Sequence, residues 1–214
     1  MNVSWSKYRD ELLKRLPELR ETLNGGASDE DIRAVEEKMG IVFPDGLRTL
    51  YLENNGDTGD AMCGMILGFH FLTLDELYSE WNDWKDIIEK WATEDISDSA
   101  VYSSDPPGYV KTRYADLFWL PICEDGSGNH IGIDLDPDVN GKVGQVINFG
   151  RDENRKTVLA DSLGAFFERL TRIINSKDFY IGEIEGENVV LLGSDDEEEG
   201  SHLTDYLLKK ESVK

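Results

Sequence analysis

The stretch "EDGSGNHIGIDLDPDVNG", residues 124–141, decides how the chain is read. It holds Gly126 and Gly128, several carboxylates, an amide, a hydroxyl and His130, one of only three histidines. A dinucleotide-phosphate cradle needs a third glycine and then a helix, so that backbone N–H groups and the helix dipole meet the phosphates. Here Ile131 stands at the third position, and Ile131, Ile133 and Leu135 alternate with Gly132, Asp134 and Asp136, the pattern of a strand. A calcium loop fares no better. Asp125, Ser127, Asn129 and Asp136 fall at ligand positions 1, 3, 5 and 12, but His130 occupies the turn position that requires glycine. The extended chain after it would carry Asp136 away from Asp125. For zinc, the linear spacing of His70, His130, His202, Cys63 and Cys123 offers no ligand set. No nucleophile stands beside His130, which reads as a structural histidine at a strand start. Residues 124–129 therefore form a turn. Gly126 and Gly128 supply φ > 0, Asp125 and Asn129 bond their own backbone, and Asn140-Gly141 turns the chain again.

Outward from this turn, Phe118–Cys123 and Gln145–Phe149 read as the flanking strands. A helix capped by Asp161 or Ser162 follows, with Leu163, Phe166, Phe167, Leu170 and Ile174 on its apolar face. Toward the N-terminus, Trp5, Tyr8, Leu12, Leu16, Leu19 and Leu23 predict one helix up to Asn24-Gly25-Gly26. Ser28 and Asp31 open a second helix as a capping box, and Pro44 opens a third. Residues 61–72 read as one or two short strands. Thr73 and Glu76 then cap a helix with Leu77, Trp81, Trp84, Ile88 and Trp91 on one stripe. Residues 93–113 read as a surface loop. Beyond residue 174, 179–184 and 188–192 predict a hairpin, 194–200 an acidic solvated linker, and 202–210 a short helix. The chain thus divides into an N-terminal helix (1–23) packing on a domain (24–174), and an acidic extension (175–214).

The net charge is −22 over 214 residues. From residue 175 onward there are 11 acids and 4 lysines, so −15 resides in the preceding body. Such a surface repels nucleic-acid phosphates and anionic membranes, and it steers basic proteins toward it. No apolar run is long enough for a membrane span, and the charged first 16 residues do not read as a secretory signal. Two unpaired cysteines fit a reducing, cytoplasmic setting.

Four segments in order carry a resemblance: "IVFPDGLRTLYLENNGD" (41–57), "ILGFHFLTLDEL" (66–77), "WLPICEDGSGNHIGIDLDP" (119–137) and "VGQVINFGRDE" (143–153), followed by a helix beginning "LADSLGAFFERL". Over about residues 24–174 the chain resembles the SUKH superfamily, the domain of the Smi/Knr-type regulators of fungal cell-wall assembly. The resemblance implies an α+β fold, a twisted and mainly antiparallel sheet with helices against it. It brings no catalytic motif, metal or cofactor. Bacterial members resemble immunity proteins that neutralise polymorphic toxins, often basic nucleases. The chain is accordingly expected to be a non-catalytic protein-binding domain, an immunity protein for a basic toxin. The alternatives are a regulatory adaptor in cell-wall synthesis, or a metal-dependent hydrolase using the Asp-rich turns.

The family pattern fixes no binding residues, so candidates come from the sequence. Asp57 and Asp60 follow the third helix. Glu76, Glu80 and Asp83 each precede a stripe position, so they flank Trp81 and Trp84 by about 100° on the helix surface. Tryptophan rimmed by charge is a common interface arrangement. Asp125, Asp136 and Asp152 come from the turns at the sheet edge.

Overall fold

The structure, a computed structural model, describes residues 3–92, 101–193 and 201–211. Helices α1 (Val3–Arg15), α2 (Leu19–Thr22), α3 (Asp29–Met39) and α4 (Asp45–Glu53) lead into strand β1 (His70–Phe71) and helix α5 (Leu74–Ala92). Strands β2 (Ser103–Asp105), β3 (Trp119–Glu124), β4 (Asn129–Asp134), β5 (Gln145–Gly150) and β6 (Arg155–Ala160) follow. Helix α6 (Leu163–Ile174), the strands β7 (Phe179–Ile184) and β8 (Glu187–Leu192), and helix α7 (Leu203–Glu211) complete it. The fold is α+β. The main sheet runs β1-β3-β4-β5-β6-β2, antiparallel except where β2 joins β6 in parallel, and β7-β8 form a separate hairpin.

Local chemistry sets the helix ends. Ser28 Oγ accepts from the Asp31 N–H while Asp31 Oδ2 accepts from the Ser28 N–H, and Gly40 closes α3 at φ 69°. Thr73 and Glu76 make the same reciprocal pair ahead of α5. Ser162 caps α6 by accepting from the Ala165 N–H. The first helix departs from expectation. It ends at Arg15 and resumes as α2, because Pro17 has no N–H to continue the ladder. Residues 61–72 yield only the two-residue β1 and an isolated bridge between Ile66 and Phe69. Two strands were not foreseen: β6, and β2 within the expected loop.

The sheet is covered on both faces. Leu120, Ile122, Ile131, Ile133, Val146 and Leu159 point into the larger core with α1, α3, α4 and α6. Trp119, Ile147 and Phe149 point the other way and meet Trp84 of α5 and Val110. At the centre, Gly132 leaves no space for a side chain: a Cβ there would lie 2.1 Å from the Leu120 carbonyl oxygen.

Helix α1 is seated by aromatic rings. Trp5 lies 4.9 Å from Phe167 and 5.3 Å from Phe71, with Tyr8 5.5 Å from Phe167. The polar ends of these rings are also satisfied: Trp5 Nε1 donates to Asn54 Oδ1 (3.0 Å) and Tyr8 OH to the Met65 carbonyl (2.8 Å). The C-terminal elements join the same core through Leu203, Tyr206 and Leu207, and Arg169 donates to the Leu207 carbonyl. The expected linker at 194–200 lies outside the described residues, as do residues 93–100 of the expected loop and the Trp91 side chain. Phe167 touches both Trp5 and Tyr8, so Phe167→Ala is expected to destabilise the fold by about 3–5 kcal/mol. Urea unfolding followed by tryptophan fluorescence measures it, and a loss below about 1 kcal/mol would mean that α1 is not held by this contact.

Candidate functional site

Strand register brings four separated residues into one row. His70 of β1 pairs with Glu124 of β3, Glu124 pairs with His130 of β4, and His130 pairs with Phe149 of β5. Directly paired residues share a face of the sheet, so these side chains stand side by side beneath α5. Glu76, Glu80 and Trp84 recur every four residues along α5 and form one stripe. The two rows meet. Glu76 Oε2 is 3.1 Å from His70 Nε2, Glu80 Oε2 is 3.0 Å from His130 Nε2, and Trp84 meets the His130 ring edge-to-face at 6.0 Å.

His70 is gripped from both ends. Its Nδ1 lies 2.6 Å from Asp57 Oδ1. Asp57 is buried and also accepts from the backbone N–H groups of Gly59, Met65 and Phe71. Burial alone would lower the His70 pKa, but the carboxylates of Asp57 and Glu76 outweigh it and raise it to about 9.

His130 is 1% exposed and stacks on Phe149 at 5.4 Å. Its hydrogen bond holds the Glu80 pKa low. Glu124 behaves oppositely, because burial and then the charge of Glu80 push its pKa up. Glu80, Glu124 and His130 have potential ligand atoms within 4.8 Å of one another, the one such group among the described residues. Linear spacing concealed it, since its members come from α5, the end of β3 and the start of β4.

The 124–129 turn adjoins this row. Asp125 accepts from the Ser127 and Asn129 N–H groups and from Asn129 Nδ2. Burial raises its pKa, but these bonds more than reverse that. Asn129 Oδ1 in turn accepts from the Asp152 N–H (2.9 Å), tying the turn to the β5–β6 connection.

The structure thus gathers Glu76, Glu80, Asp125 and Asp152 at one end of the sheet, with exposed Asp83 further along α5. Asp136 lies toward the opposite end of β4, ion-paired with Lys111. Asp60 lines a separate groove with Glu18 and Glu187. The expected tryptophan hot spot is not formed. Trp81 and Trp84 are 4% and 7% exposed, and Trp81 Nε1 is used on the Leu117 carbonyl. The apolar stripe of α5 is what seats that helix on the sheet, so these two indoles are core. Asp57 is likewise an internal acceptor.

Sequence reasoning missed two buried ionisable groups. Lys156 is fully buried, with Nζ over the rings of Tyr102 (5.5 Å), Trp119 (5.6 Å) and Tyr114 (6.0 Å), and it donates to the Glu153 carbonyl. Burial lowers its pKa to about 8. Asp134 is raised by burial to about 6, although Gln145 donates to it. Recognising β6 as a strand would have placed Lys156 on an inward position.

A sequence profile of the SMI1 / KNR4 family (SUKH-1) matches residues 26–169, about two thirds of the chain. The chain belongs to the SMI1/KNR4 family. It is 35% identical over 148 residues to the "Cell wall biosynthesis/cell cycle regulator smi1" of Schizosaccharomyces pombe, covering 66% of this chain and 29% of that protein. It is 27% identical over 194 residues to the "Cell wall assembly regulator SMI1" of Saccharomyces cerevisiae, covering 77% and 38%. A "Glucan synthesis regulatory protein" of Neurospora crassa is 25% identical over 209 residues, covering 84% and 39%. The aligned region is therefore well under half the length of each of these relatives. The names favour the cell-wall reading over the toxin-immunity reading.

The His70 pair yields a pH test. An imidazole whose pKa is raised in the folded state stabilises the fold fully below its unfolded pKa, near 6.5. That contribution is lost as the pH rises through about 9. His70→Gln is therefore expected to destabilise the protein most at pH 6, with the difference from wild type shrinking by pH 10. Denaturant midpoints across that range measure it; a difference independent of pH would show that His70 is neutral and acts by packing.

Proposed function

We propose that this chain is a non-catalytic protein-binding module that regulates cell-wall synthesis, and that it engages a basic protein partner through the acidic end of its sheet. Membership of a family whose relatives are named as wall and glucan regulators carries the reading. The charge of −22 and the grouping of Glu76, Glu80, Asp83, Asp125 and Asp152 support the choice of partner chemistry and face. Acidic residues at such a face act mainly on the rate and salt dependence of association. Among the described residues no helix is long and apolar enough to cross a membrane.

Asp83 and Asp152 are the residues to reverse. Both are exposed, whereas Glu80 anchors His130 and Asp125 builds its turn. The chain, in place of the matched region of the Saccharomyces cerevisiae regulator, is expected to restore resistance to wall-perturbing dyes in cells lacking that regulator. The double variant Asp83→Lys/Asp152→Lys is expected to restore less while keeping the wild-type unfolding midpoint. No rescue by a folded, expressed wild-type chain would count against the wall role. Protection of cells from a co-expressed basic nuclease, without rescue, would favour toxin neutralisation instead.

A further inference from the structure

The geometry points to a divalent transition-metal site, of the zinc class, formed by Glu80, Glu124 and His130 at the junction of α5 with the β3–β4 turn. Acidic residues are abundant in this chain, so proximity of carboxylates alone carries little weight. Three observations separate this cluster from the rest.

The first is the imidazole. His130 is 1% exposed and its plane is fixed, stacked on Phe149 and met edge-to-face by Trp84. Its Nε2 is thereby aimed at the carboxylates. Its Nδ1 is buried with no hydrogen-bond partner among the described residues. Ligation through Nε2 places the ring proton on Nδ1, which has no acceptor among the described residues, so the metal bond has that cost to offset.

The second is the state of Glu124. Its carboxylate is half-buried and accepts no hydrogen bond from any described residue, while every other member of the His70–Phe149 row with a polar side chain is engaged. Glu80 and Glu124 converge on one imidazole, and no lysine or arginine among the described residues ion-pairs with either. The neighbouring cation, His70, is shared with Asp57 and Glu76, so carboxylates still outnumber it in a partly desolvated place, and a dication corrects the excess.

The third is distance. Zinc bonds of about 2.0–2.2 Å in a tetrahedron set ligand atoms about 3.3–3.6 Å apart. Glu80 and His130 already stand at 3.0 Å, and all three ligand atoms lie within 4.8 Å. Closure requires only that the unbonded Glu124 carboxylate swing inward by about 1–2 Å, a side-chain rotation. Three protein ligands leave a fourth position for water or a partner's side chain. The site also clamps α5 to the β3–β4 turn, and its metal would stabilise the fold.

The full-length chain, stripped with a chelator and held in excess magnesium to saturate diffuse surface binding, is titrated with cobalt(II) as a spectroscopic probe. One equivalent is expected to produce visible d–d bands, displaced by one equivalent of zinc. Zinc is also expected to raise the melting temperature. Glu124→Gln and His130→Gln are each expected to weaken binding by at least about tenfold, the loss that even outer hydrogen-bonding partners of a metal site cause. Asp83→Lys, outside the cluster, is expected to leave it unchanged. The Glu124 side chain makes no hydrogen bond to any described residue, so Glu124→Gln should fold normally and decides the matter if His130→Gln does not fold. Unsaturable binding, or a Glu124→Gln affinity equal to wild type, would overturn the site. Neither readout depends on the wall-regulator reading.

Discussion

A sheet covered on both faces can carry polar residues only if the covering elements satisfy them, because an unpaired buried polar group costs about 1–3 kcal/mol. Strand β4 imposes that condition. One of its faces is apolar, Ile131 and Ile133, but the other holds His130, Gly132 and Asp134, all buried. Whatever crosses that face must bring a carboxylate to His130 and leave space for Asp134 and its partner Gln145. Helix α5 does the first with Glu80 while wedging Trp84 and Trp81 against the sheet. Its stripe of tryptophans and its glutamates are therefore one device. The rings exclude water, and that exclusion sharpens the pairing of Glu80 with His130.

The same condition explains why the polar end of the molecule is ordered. The turn at residues 124–129 is closed by Asp125 and pinned by Asn129 to the β5–β6 connection. Gly150 lies so close to it that a Cβ there would sit 2.4 Å from Asn129 Cα. A surface of many like charges is thus carried on turns whose backbone groups are individually bonded, so the charges hold their positions despite mutual repulsion. A fixed array of this kind suits recognition of a complementary surface better than a flexible acidic tail does.

Much of this architecture was legible from local chemistry. The alternation of Ile131, Ile133 and Leu135 and the glycines before them gave β4 and its turn. Ser28, Thr73 and Ser162 marked three helix starts because a cap is specified within four residues. The failures share a physical cause: they depend on partners distant in sequence. Strand β6 reads poorly because Lys156 occupies an inward position that only a cage of Tyr102, Tyr114 and Trp119 makes tolerable. Strand β2 exists only by pairing with β6. The Glu80–Glu124–His130 cluster is invisible as a motif, since register and helix placement create it. Trp81 and Trp84 were ambiguous for the same reason, an amphipathic stripe being the same whether it seats a helix or greets a partner.

The seating of α1 has a consequence for what counts as the unit of this protein. The family similarity begins at residue 26, yet Trp5 and Tyr8 fill the space between Phe71 and Phe167, and Leu207 of α7 closes the core from the other terminus. The segment matched by the family profile is thus smaller than the packed core, which takes in both flanks. Residues outside that segment, Trp5, Tyr8 and Leu207 among them, are part of the hydrophobic core, not an accessory. A fragment trimmed to residues 26–169 would leave Phe71 and Phe167 without the rings that cover them, so the boundary of the match is not a boundary at which the chain can be cut.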